Sequence, residues 1–140
     1  MRFSAFARAS AAFFIAIMGV AAMPPAAAQS RPSVWRNPSN SVHVRTEPCG
    51  AAMCGVVVWA SEKAIADARR GGTPALVGTR LFRDFRKTGP NDWEGKVFIP
   101  DLGVTLSGTL TLVGRDQMVG KGCVARNLGC RSQTWTRIGN

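Results

Sequence analysis

Residues 42–59 read Val42-His43-Val44-Arg45-Thr46-Glu47-Pro48-Cys49-Gly50-Ala51-Ala52-Met53-Cys54-Gly55-Val56-Val57-Val58-Trp59. Two β-branched runs flank a short segment bearing proline and glycine, with a cysteine on each side. That is the pattern of a stapled β-hairpin. In the first arm Val42 and Val44 alternate with His43 and Arg45, the period of two that a half-buried strand requires.

The cysteines point to a compartment. Upstream of the hairpin, Arg2 and Arg8 precede an uncharged apolar run, Ala11 to Met23, which Pro24-Pro25 ends. A run of that length is too short for a membrane-spanning helix of about 20 residues, and Ala26-Ala27-Ala28 offers the small side chains of a cleavage site. Residues 1–28 therefore read as a signal peptide, residues 29–40 as a flexible leader and residues 41–140 as one domain. The expected destination is periplasmic or secreted. Four cysteines in an exported chain are expected to pair, and three connectivities exist. Cys49 and Cys54 flank one turn and Cys123 and Cys130 another, so local pairs are favoured. Rings of this size contribute about 2–2.5 kcal/mol each in the chain-entropy picture. The spacings C-x4-C and C-x6-C fit zinc poorly, and no metal is expected.

The formal net charge is +10, and Arg2 and Arg8 are the only cations within the first 28 residues. After export the anions within reach are envelope lipids and acidic polymers, so no nucleic-acid partner is expected. Arg80, Arg83, Arg86 and Lys87 form the most basic segment and are the candidate anion-binding residues.

Beyond the hairpin, Ser61 to Arg70 reads as a helix. Ser61 caps it, Glu62 sits at its positive end, Arg69 and Arg70 at its negative end, and Gly71 is expected to take the left-handed terminating conformation. Between Thr73 and Thr88, Phe82 and Phe85 fall on opposite faces of any regular strand, so this stretch is expected to be irregular. From Asn91 the chain is strand and turn: Trp93 to Ile99, Val104 to Leu112 with unbroken alternation, Gln117 to Val124 and Arg131 to Ile138. Seven or eight strands, one helix and no βαβ rhythm give a mainly all-β protein, a small antiparallel meander closed into a barrel.

Such a barrel is either filled by its own side chains or holds one small ligand. Trp59, Trp93, Phe98 and Leu106 are the candidate lining of a cavity. Familiar catalytic constellations are missing: there is no G-x-S-x-G elbow, no glycine-rich phosphate loop before a helix, and no histidine besides His43. No catalytic residue and no cofactor is expected. The two function classes left are a binding module for an apolar or amphipathic envelope molecule and an interaction protein that uses its basic surface.

Glu47-Pro48-Cys49-Gly50, Met53-Cys54-Gly55, Val58-Trp59, Trp93-Glu94-Gly95 and Ser132-Gln133-Thr134-Trp135-Thr136-Arg137 together resemble a secreted bacterial family, domain of unknown function two-one-four-seven. The resemblance covers nearly all of the chain after residue 28. It implies a lipocalin-like barrel of about eight strands and no established activity. It also implies barrel closure by a tryptophan of the first strand against an arginine of the last, here Trp35 and Arg137.

Overall fold

A computed structural model describes residues 32–140; the signal peptide and cleavage point expected at residues 1–28 lie outside them. Eight strands run β1 Ser33–Arg36, β2 Val42–Cys49, β3 Ala52–Ala60, β4 Arg80–Lys87, β5 Asp92–Ile99, β6 Val104–Val113, β7 Gln117–Ala125 and β8 Leu128–Gly139, with one helix, α1 Glu62–Arg70, between β3 and β4. Each strand pairs with its chain neighbour, and β1 pairs with β8, so the sheet is a closed antiparallel barrel. Closure leaves no sheet edge open. The segment expected as a flexible leader is corrected here: Ser33–Arg36 is a strand that pairs with both β2 and β8.

Both disulfides are local, Cys49–Cys54 on the first hairpin and Cys123–Cys130 on the last. Ser61 Oγ caps α1 by accepting a hydrogen bond from the Ala64 amide. The glycines that follow divide their roles differently from the expectation. Gly71 has φ −80° and Gly72 has φ +91°, so Gly72 supplies the left-handed residue. Gly71 is glycine for space, since a Cβ there would lie 2.2 Å from the Asp101 backbone. That contact, with the Thr73 hydroxyl donating to the Pro100 carbonyl at 3.0 Å, ties the end of α1 to the β5–β6 turn.

The segment expected to be irregular forms β4, and a bulge explains the broken alternation. Arg83 pairs with Lys96 and Arg86 with Glu94, so β4 spends one residue more than β5 over this interval. Asp84, inside that interval, has φ +52°. The extra residue turns Phe82 and Phe85 to the same side, and both are buried. Left-handed backbone is strained for a β-branched side chain and free for glycine. Asp84→Gly is therefore expected to leave stability unchanged or raise it by up to about 1 kcal/mol. Asp84→Val is expected to lower it by about 1–3 kcal/mol. Thermal melts giving the two variants equal stability would show that the bulge is not held in this conformation.

Small residues shape the interior. Gly95 on β5 pairs with Gly108 on β6, which pairs with Gly122 on β7. A Cβ on Gly95 would stand 2.8 Å from the Phe85 ring, and one on Gly108 would stand 3.5 Å from its far edge. The Phe85 ring thus lies across this glycine row. Around it Val44, Val57, Leu110, Met118 and Trp35 complete a dense core.

Candidate ligand-binding cavity

At one end of the barrel are the β1–β2 turn, α1, the start of β4, the β5–β6 turn and the β7–β8 hairpin; the other strand connections lie at the opposite end. The opposite end is closed by Arg137. Its guanidinium lies 4.5 Å from the centroid of the buried Trp35 ring. Its Nη1 donates to Ser33 Oγ at 2.6 Å and its Nε to the Arg115 carbonyl at 2.7 Å. One side chain therefore links β1, β8 and the β6–β7 turn.

At the α1 end the interior is not filled. A cavity of about 570 Å³, open to solvent, has Leu81, Phe82, Val97, Leu106 and Trp135 among its lining residues. Phe82 meets Trp135 edge to face at 5.5 Å and Phe85 at 5.9 Å, so an aromatic cluster separates the cavity from the dense core. Gly120 and Gly122 on β7 withhold side chains from this space, and a Cβ on Gly122 would still stand 3.7 Å from Leu106. The polar lining sits toward the mouth. Arg131 and Gln133 share the β8 face of Trp135 by the two-residue period, and neither side chain has a hydrogen bond or ion pair among the described residues. Asp67 of α1 also borders the cavity but is engaged by Lys63 and Arg70. The Lys63 hydrogen bond is the main cause holding its carboxyl below the usual carboxylate range.

The residues expected to line a cavity separate in the structure. Phe98 and Leu106 do line it. Trp59 does not: it is 44% exposed and stacks on His43, with ring centroids 4.5 Å apart. The cause is a second bulge. Val44 pairs with Val57 but His43 pairs with Trp59, so β3 carries one extra residue and Trp59 is turned away from the face of Val57. Trp93, at the start of β5, lies toward the closed end, packed on the core with the Lys87 ammonium 5.6 Å from its ring centroid.

Two cations of the basic β4 segment lie over aromatic rings of β5. The Arg83 guanidinium lies 4.4 Å from the Phe98 ring centroid and donates to the Arg80 carbonyl. Lys87 covers Trp93, and Arg86 stands opposite Glu94. His43 bonds Asn40 Oδ1 at 2.8 Å, and its pKa is lowered by partial burial first and by the Arg36 charge second. Among the described residues one group of potential metal ligands comes together, Cys49, Cys54 and Asp84. Its two sulfurs are bonded to each other and offer no thiolate.

Sequence reasoning missed Gly122, Arg131 and Gln133. The signal was present in the alternation Arg131-x-Gln133-x-Trp135, which puts two polar side chains on the face of a buried aromatic.

A closed eight-stranded antiparallel barrel, sealed at one end and hollow at the other, is a lipocalin-like architecture. The chain belongs to a family described as an uncharacterised protein conserved in bacteria, DUF2147, which matches residues 33–137. The match begins where β1 begins. Among solved structures the chain is similar to protein HP1028 of the human pathogen Helicobacter pylori, described as belonging to the lipocalin family. The TM-score is 0.62 at 11% identity, over 80% of this chain and 85% of that one. No curated protein matches the sequence.

Proposed function

We propose that the protein is an exported, non-enzymatic binding module that holds a small amphipathic molecule of the cell envelope in the open half of the barrel. The observation that carries this reading is the cavity of about 570 Å³ above the Phe82–Trp135 floor. Its size falls in the range of small-molecule sites, and it combines an apolar body with a few polar groups. The apolar part of the ligand rests on Phe82, Leu106 and Trp135, and its polar end lies at Arg131 and Gln133. Two local disulfides suit an oxidising compartment.

Native mass spectrometry of protein recovered after export, followed by solvent extraction, tests the reading. A stoichiometric ligand that survives high salt is expected, since apolar burial is insensitive to screening. Filling the cavity with Gly122→Phe is expected to reduce occupancy by about tenfold or more while the protein stays folded. Equal occupancy in the folded variant would place the ligand elsewhere and sink the proposal.

A further inference from the structure

The β7–β8 hairpin carries a feature that a soluble binding module does not require. Val124 is 75% exposed and Leu128 71% exposed on its two arms, and Leu102 is 67% exposed on the β5–β6 turn. All three lie at the α1 end, and Val124 and Leu102 border the cavity mouth. Scattered apolar residues on a surface need no explanation, but three at the tips of loops around one opening form a coherent rim. The charge around them is one-sided. From Gln117 to Asn140 the chain has no Asp or Glu, and Lys121, Arg126 and Arg131 occupy the half of the hairpin nearest the mouth. The acids at this end are Glu62 in the first turn of α1, Asp67, already paired with Lys63 and Arg70, and Asp101. Cys123–Cys130 crosses the hairpin just below its tip and fixes the two arms against each other.

We infer that this rim docks the barrel, mouth first, on an anionic lipid bilayer. Val124, Leu128 and Leu102 enter the headgroup region while Arg126 and Arg131 meet lipid phosphates. The chemistry is that of an interfacial anchor, in which shallow apolar insertion and attraction to anionic lipid add. A second copy of the chain fits less well, because two identical carboxylate-free hairpins repel. Among the described residues no helix is long and apolar enough to cross a membrane. The surface differs from the β4 segment, where Arg83 and Lys87 lie over Phe98 and Trp93 of β5.

Co-sedimentation of the exported, disulfide-bonded protein with vesicles of phosphatidylethanolamine and phosphatidylglycerol tests the inference. Binding is expected there and not to phosphatidylcholine vesicles, with weakening as salt rises. The double variant Val124→Ser, Leu128→Ser is expected to bind about tenfold or more weakly. Its melting temperature is expected to be unchanged, since both side chains are exposed. Leu128→Trp fluorescence should be quenched by brominated lipid, whereas Val113→Trp at the closed end should not. Gly122→Phe should bind vesicles as well as the parent protein, which separates docking from occupation of the cavity. Equal binding to neutral vesicles, no effect of the double variant, loss of binding in Gly122→Phe, or a dimer held by this rim without vesicle binding would each overturn the inference.

Discussion

Replacing Phe85 with alanine is expected to destabilise the barrel by about 3–5 kcal/mol, the range for deleting a buried phenyl group. Phe85 is 1% exposed, and its ring lies over Gly95 and Gly108, which have no side chains to move into the vacated space. The site therefore cannot collapse, and the loss should fall at the upper end of that range. Chemical denaturation checks this, with an unchanged m-value as evidence that the same transition is compared. A loss below about 1 kcal/mol would mean that the glycine row closes up and is not a fixed bed for the ring.

Arg137→Ala is expected to cost about 2–3 kcal/mol. The substitution removes a guanidinium stacked on a buried indole together with hydrogen bonds to Ser33 and to the Arg115 carbonyl. Arg137→Lys should recover less than half of this, because an ammonium cannot reproduce the planar fork that stacks and donates in two directions. Arg131→Ala, at the open mouth and without partners among the described residues, should stay within about 0.5 kcal/mol of the parent. Equal melting temperatures for Arg137→Ala and Arg131→Ala would show that Arg137 does not close the barrel. The same pair separates roles, since Arg131→Ala should weaken retention of an amphipathic ligand and Arg137→Ala should not do so while the protein is folded.

Much of this fold was legible from the period of two. β6 alternates from Val104 to Leu112 without exception, and each hairpin announces itself by Gly, Pro, Asn or Asp between apolar runs. Where the reading failed, one inserted residue was responsible. At Asp84 the bulge reversed the faces of β4 and made a strand with Phe82 and Phe85 on one side look irregular. At the end of β3 the extra residue sent Trp59 to the outer surface, away from the cavity it was expected to line. A bulge requires only a residue that tolerates its geometry, and Asp84 and Val58 give no local signal of it. Only the family resemblance put Trp35 on a first strand; the residues themselves read as a leader. Four residues are too few to show a period, and Ser33–Arg36 is held by pairing with β2 and β8 rather than by its own propensity. The cavity is a matter of volume across several strands. Phe98 and Leu106 could be named one by one, but the gap left by Gly120 and Gly122 appears only when β7 is set beside β6 and β8.

The strand order also bears on how the chain folds. Because β1 to β8 lie side by side in sequence order, seven of the eight strand pairings join chain neighbours, and only the pairing of β1 with β8 spans the whole domain. Local pairings form without a large loop-closure cost and long-range ones wait. A chain emerging from a translocation pore N-terminus first would therefore assemble a curved open sheet strand by strand. It would expose two unpaired edges until its last dozen residues arrive. Those edges are a template for pairing with other chains. Interruption before β8 would leave both of those edges open.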